Sequence, residues 1–252
     1  MANRGIAAPL QRLFAEMSPT VRIIVLINAV VFIVPYLLDQ LGVVYKSVLI
    51  SDLLVIYGAK DNIAIAAADQ YYRFVTMMFL HGNLIHLLFN TYAIVQIGTS
   101  VEELSDQKRF LGIYFVGGFV GGVASYYFTA APSVGASGAI FALIGAQGMF
   151  VWLNRAAYGD QAKQILANIA FMALINIFFG YSMPNIDNMA HIGGLVGGLI
   201  TGYLLLPRLT LSLTEFGAQR SRRHLAWGWN GVIALVVVLF VVVSVVTPAF
   251  EG

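Results

Sequence analysis

Ala190-His191-Ile192-Gly193-Gly194-Leu195-Val196-Gly197-Gly198-Leu199-Ile200-Thr201-Gly202 puts a histidine at the head of a glycine-rich, otherwise apolar run. Gly194, Gly198 and Gly202 recur at every fourth position, so on a helix they share one face. Inside lipid there is no hydrophobic drive between helices, and they associate by close backbone approach at such faces. The run therefore reads as a tightly packed membrane helix. Polar groups at that depth are expensive and usually functional, so His191 needs a reason to be there. Gly135-Ala136-Ser137-Gly138 poses the same question, because it opens another apolar stretch with a serine. A hydroxyl nucleophile and an imidazole base are the minimum kit for acyl transfer.

The rest of the chain fits this reading. Of its 252 residues 59% are hydrophobic and only 10% charged, whereas soluble domains are about a quarter charged. The expected fold class is an all-α polytopic membrane protein. A formal charge of +2 gives no ground for a nucleic-acid partner. With no cysteine, disulfides, thiolate catalysis and Cys-ligated metals are excluded.

A helix needs roughly 20 apolar residues to cross the hydrocarbon core. Seven segments qualify: about 21–38, 84–101, 110–129, 137–153, 165–181, 189–206 and 229–246. The first, with Pro35 near its end, reads as an uncleaved signal anchor, since no small-x-small cleavage site follows it. With the N-terminus inside, 11 of the 14 basic residues fall in inside segments, leaving Lys46, Lys60 and Arg73 outside. The positive-inside rule thus predicts a cytoplasmic N-terminus and an outer C-terminus. The expected organisation is a cytoplasmic segment 1–20, a six-span core 21–206, a basic cytoplasmic linker 207–228 and a seventh span with a short tail, 229–252. Segment 39–80 is the one long loop. Its short apolar runs, broken by Asp52, Asp61 and Asp69, predict an amphipathic structure at the bilayer surface. The basic run 220–224 reads as a stop signal facing anionic lipid heads.

Ser137 follows a turn, Pro132-Ser133-Val134-Gly135, at a helix start. Serine there is commonly an N-cap. Here Gly135 and Gly138 strip bulk from both sides and permit close approach of a substrate backbone. Free N–H groups at a helix start also suit a developing oxyanion. Glycine does not stand two after the serine, so this is not the nucleophile elbow of soluble hydrolases. His191 is one of four histidines, and the bland use is a hydrogen bond to a neighbouring helix. Asp187, four residues earlier, is a candidate orienting acid, but its loop position favours a capping role. A third element is His81-Gly82-Asn83-Leu84-Ile85-His86-Leu87-Leu88-Phe89-Asn90. His86 and Asn90 share a helix face, and both donate hydrogen bonds. A metal reading is weak: His81 and His86 are five apart, a poor spacing for co-ligation, and no carboxylate is near. No metal and no cofactor are expected.

Taken together, these pieces resemble the rhomboid family of intramembrane serine proteases. The match covers about 71–202: Tyr72-Arg73, His81…His86…Asn90, Gly135-Ala136-Ser137-Gly138, and Ala190-His191 with its glycine ladder. The resemblance implies a six-helix core, here with a seventh C-terminal helix, and a Ser–His dyad that cleaves transmembrane protein substrates in or near the bilayer. It implies Ser137 as nucleophile, His191 as general base, and His86, Asn90 and the Ser137 N–H as oxyanion hole. His81, Gly135, Gly138 and Phe141 would support the site, and Arg73 would stabilise the outer loop. Phe141 and Tyr72 depart from the tyrosine and tryptophan often found in the family. Neither change removes a catalytic atom. The implied location is a bacterial inner membrane. The alternatives weighed are a catalytically inactive client-binding relative and a small transporter. A transporter usually shows intramembrane charges and paired broken helices, which are lacking here.

Overall fold

The computed structural model describes residues 17–183, 186–214 and 217–247, and the side chains of these outside 211–220. Most of the expected segment 1–20 and the tail beyond 247 lie outside the described residues, as does the Arg220 side chain of the basic run. Among the described residues the fold is all-α apart from two small hairpins.

Each expected apolar segment is a helix. Helix α1 is Pro19–Gln40. The loop that follows holds β1 (Val44–Tyr45), β2 (Val48–Leu49), α2 (Ile50–Gly58), α3 (Asn62–Ala68) and α4 (Arg73–Thr76). Helices α5 (Leu84–Ala93) and α6 (Thr99–Leu104) form one rod, joined through a widened turn at Ile94–Gly98. Next come α7 (Gln107–Phe128), α8 (Ser137–Leu153), the short α9 (Arg155–Tyr158), α10 (Gln161–Ser182) and α11 (Asn188–Leu205). Strands β3 (Arg208–Thr214) and β4 (Gly217–Arg223) precede α12 (Gly228–Val245). Five of these are long and apolar enough to cross a membrane: α1, the α5–α6 rod, α7, α10 and α12. This makes the chain an integral, multi-pass helical protein. Helix α8 has only 17 residues, and α11 is rich in glycine.

The centre of the bundle is α7, α8 and α11, and glycine sets their separation. A Cβ built on Gly198 would lie 1.9 Å from the Ala142 carbonyl oxygen, and one on Gly194 would lie 2.0 Å from that of Gly138. On α7, a Cβ at Gly117 would lie 2.1 Å from the Ala142 Cβ. No side chain fits at any of these points. Backbone-to-backbone contact replaces the hydrophobic drive that lipid cannot supply. Large side chains fill the space around this seam, among them Phe110, Ile113, Tyr114 and Leu143, all fully buried.

Polar ties fix the two ends. At one end the Glu102 carboxylate accepts hydrogen bonds from the hydroxyls of Ser18 (2.6 Å) and Thr20 (2.8 Å) and from the Thr20 and Val21 N–H groups. This pins the start of α1, whose first-turn N–H groups have no helical partner. At that same end Asn154 donates to the carbonyls of Phe150 and Pro207 and accepts from the Leu209 N–H at 2.6 Å, which anchors β3. The hairpin stands where a plain linker was expected. Pro35, expected near the end of the first helix, lies inside α1 without ending it.

The 39–80 segment is a folded cover over the other end. Asp39 accepts from the Ile50 N–H at 2.7 Å and caps α2. Ile65 and Phe74 are fully buried, while Val55, Ile56, Tyr57 and Ile63 stay exposed. The buried Arg73 side chain holds the cover together. It donates to the carbonyls of Ala59 (2.8 Å) and Ile56 (2.9 Å) and to the Gln70 side chain (2.7 Å).

Candidate active site

The covered end carries the residues singled out from the sequence. Helix α8 begins at Ser137 after the non-helical approach Thr129–Gly135. Its first N–H groups are free of helical partners. Ser137 itself is partly exposed. Helix α11 begins one turn before His191, which is only 8% exposed. The two starts touch: a Cβ on Gly138 would lie 3.4 Å from the Ala190 carbonyl oxygen. Gly138 and Ala190 are the chain neighbours of Ser137 and His191, so the contact sets hydroxyl and imidazole at adjacent helix ends. The Phe141 ring, one turn along α8, stacks on His191 with centroids 4.3 Å apart and planes inclined by 13°. Phe141 thereby fixes the plane of the imidazole without offering it a hydroxyl. Among the described residues no hydrogen bond joins Ser137 Oγ to His191; in substrate-free enzymes such bonds are often long and tighten when substrate binds.

Gly135 has φ +131°, a conformation that side chains rarely adopt. Its open flank faces the third sequence element: a Cβ there would lie 2.7 Å from His86 Nε2 and 3.6 Å from Asn90 Nδ2. Glycine is required twice over, by backbone angle and by space. Asn90 is buried, and among the described residues its amide nitrogen has no partner. Buried amides are almost always bonded, so a free donor beside a helix start is suited to an oxygen that arrives with a ligand. His81 is buried and lies edge-on to His86 with centroids 5.2 Å apart. Burial, helped by the neighbouring His86, pushes the His81 imidazole down to about 4 despite its contact with the Phe79 backbone, so it is neutral at pH 7.

Asp187 is the N-cap of α11 and accepts from the Ala190 N–H at 3.0 Å. It also accepts from the Ser125 hydroxyl and, at 3.1 Å, from the Thr129 hydroxyl. Burial alone would push this carboxyl up, but bonds from Ser125, Ala190 and Ser133 with the Lys60 charge hold it below the ordinary carboxylate range. Its oxygens are engaged by these partners, and among the described residues His191 Nδ1 is left buried and unbonded. Ser137 and His191 thus stand at touching helix starts, with His86 and Asn90 against Gly135 and Asp187 engaged by Ser125, Thr129 and Ala190.

One group at this end escaped the sequence reading. Lys60 is completely buried, and its ammonium donates to the carbonyls of Thr129 and Ala131 at 2.8 Å each. Asn62 donates to the carbonyls of Tyr126 and Thr129. These contacts join residues more than 60 positions apart, and no local pattern announces them.

Fold and site thus define a helical membrane protein with a serine and a histidine at touching helix starts. The Rhomboid domain family model matches residues 68–208. The chain belongs to the rhomboid family. It is 42% identical over 159 residues to Rhomboid protease GluP of Bacillus subtilis, covering 63% of this chain and 31% of that protein. It is 38% identical over 138 residues to RHOMBOID-like protein 7 of Arabidopsis thaliana, covering 54% of this chain and 44% of that one. Putative rhomboid protease YdcA of Bacillus subtilis is 32% identical over 145 residues, with 56% and 71% covered. The chain spans about a third to a half of the length of the first two of these relatives.

Proposed function

We propose that this protein is an intramembrane serine endopeptidase that cuts other membrane proteins in or near their transmembrane segments. The observation that supports the reading is the contact of the α8 and α11 starts, which brings Ser137 and His191 to adjacent helix ends, with His86 and the Asn90 amide, unbonded among the described residues, close to Gly135. Ser137 Oγ attacks the scissile carbonyl carbon while His191 takes its proton. The carbonyl oxygen becomes an oxyanion facing the Ser137 N–H, the Asn90 amide and the His86 imidazole. Collapse breaks the C–N bond, and His191 returns the proton to the leaving amine. Water, deprotonated by His191, then releases Ser137 from the acyl-enzyme. This is a dyad mechanism, because the Asp187 carboxylate is engaged by Ser125, Thr129 and Ala190.

In this reading all seven long helices cross the bilayer, α8 and α11 included. The N-terminus is cytoplasmic and the site faces the outer side, in keeping with the basic residues at the opposite end. The layout is a six-span core with a seventh C-terminal span, in a bacterial inner membrane. A substrate helix must unwind locally to offer a carbonyl that is otherwise bonded within it. Single-span proteins with small or helix-breaking residues near the cut are therefore the favoured substrates. Both dyad residues are present, so nothing favours the inactive client-binding alternative.

The test is cleavage of a panel of tagged single-span proteins by purified protein, with labelling by a serine-directed phosphonate alongside. Cleavage and labelling should both vanish in Ser137→Ala while the protein stays folded. Undiminished cleavage by that variant would sink the serine mechanism.

A further inference from the structure

The fully buried Lys60 takes no part in the mechanism above, yet it lies in the polar cluster next to the nucleophile's helix. Burying an ammonium is costly unless it is well bonded, so its retention calls for an explanation. Three observations supply one. Its Nζ donates to the carbonyls of Thr129 and Ala131, two residues of the segment that delivers Ser137. Its backbone forms a two-way antiparallel bridge with Ser133, Lys60 N–H to Ser133 carbonyl at 2.9 Å and Ser133 N–H to Lys60 carbonyl at 3.0 Å. Beyond the bridge, the Gly135 N–H donates to the Met77 carbonyl at 2.9 Å. Resting on the protease reading, we propose that Lys60 is a positioning residue: its ammonium clamps the 129–135 segment and so sets the Ser137 N–H and hydroxyl against His86, Asn90 and His191.

The charged groups facing this ammonium are Asp187 at the start of α11 and Asp61, its chain neighbour. Both carbonyls come from the segment that follows α7, and that of Thr129 also accepts from Asn62 of α3. Burial pushes the Lys60 amine down to about 8, against the pull of Asp187 and Asp61. Deprotonation leaves a neutral amine whose carbonyl contacts are roughly half as strong, and the attraction to Asp187 is lost. The clamp should loosen as pH rises through about 8. Stability moves the other way. The folded chain releases this proton before the unfolded chain does, so Lys60 by itself favours folding increasingly as pH climbs from about 8 toward 10.5. A purely structural lysine would show only that rise.

The experiment compares wild-type, Lys60→Met and the charge-free pair Lys60→Met/Asp187→Asn. The readouts are kcat and KM on a cleaved single-span reporter, phosphonate labelling of Ser137, and amide exchange over 129–137 from pH 6.5 to 9.5. Loss of the clamp should lower kcat on the order of 10²-fold with little change in KM, the usual cost of a misplacement near 1 Å. Wild-type kcat should fall through about pH 8 while both variants stay flat there. Exchange at Ser133 and Gly135 should rise in Lys60→Met, and in wild-type above pH 8 beyond the intrinsic rate. Wild-type kcat, an unaltered pH profile and unaltered exchange in folded Lys60→Met would overturn the inference. If Lys60→Met does not fold, the double variant and the wild-type exchange profile decide. A wild-type protein that neither cleaves nor labels overturns the protease reading instead, and the exchange data still judge the clamp.

Discussion

Helices α10 and α11 are near neighbours in the chain and both apolar, yet they are held in opposite ways. In α11 eleven of 18 residues are buried, and its glycines meet backbone on α7 and α8. In α10 only Ala162, Ala173 and Gly180 of 22 residues are buried. Between α10 and its neighbours lies an apolar cavity of about 520 Å³, lined among others by Gly148, Trp152, Ile169 and Leu199. Backbone contact leaves no slack, because interiors at crystal-like density have discrete arrangements. Side-chain contact with lipid-facing space can be repacked. The difference teaches that the serine and histidine ride on the rigid seam, while the compliant wall stands beside it.

The comparison breaks most completely at the seam's chemistry. His191→Ala should abolish cleavage while leaving the α8–α11 contact intact, since that contact is made by Gly138 and Ala190 backbone. Single-turnover assays on folded protein check this, and cleavage above the Ser137→Ala background would reassign the base. Next comes the seam itself. Gly198→Val forces a Cβ into a site 1.9 Å from a backbone oxygen. A loss of about 3 kcal/mol, the upper end for overpacking, is expected from thermal unfolding in detergent. A variant as stable as wild-type would show that α11 can slide.

Smaller effects sharpen the picture of the site. In the protease reading Asn90→Ala removes one oxyanion donor while others remain, so kcat should drop roughly 10- to 1000-fold. An unchanged kcat would make that buried amide a packing group. The acidic limb of the pH profile reports the base. In the protease reading His191 must be neutral to accept the serine proton, so activity should be lost on acidification and level off once the imidazole is neutral; an activity that peaks at acid pH and falls as pH rises further would point to a carboxylate mechanism. The smallest effect belongs to the compliant wall. A Cβ at Gly148 would meet only Ile169, at an ordinary 3.5 Å. Gly148→Ala should shift stability by less than about 1 kcal/mol, in contrast to Gly198→Val. Equal damage from the two substitutions would erase the distinction between seam and wall.

The sequence by itself determined the helices and the glycine face of α11, and it singled out four candidate residues for the site. Composition and fourfold spacing are local signals, and lipid leaves a helix few alternatives. Ser137, His191, His86 and Asn90 were legible because polar side chains in apolar runs stand out. The β3–β4 hairpin was missed, although Leu209, Leu211 and Leu213 alternate with Thr210 and Ser212 at the period of a strand. Its basic residues had drawn the reading toward a linker. What only the tertiary structure decided lies in contacts between distant residues. Asp187 is the cap that its loop position favours, but the fold alone decides that its oxygens also take the hydroxyls of Ser125 and Thr129. Lys60, an unremarked cation in a loop, is buried under carbonyls some 70 residues away. Local pattern fixes which residues a helix carries; the partner of a buried charge depends on how separate segments meet, which no spacing along one chain encodes.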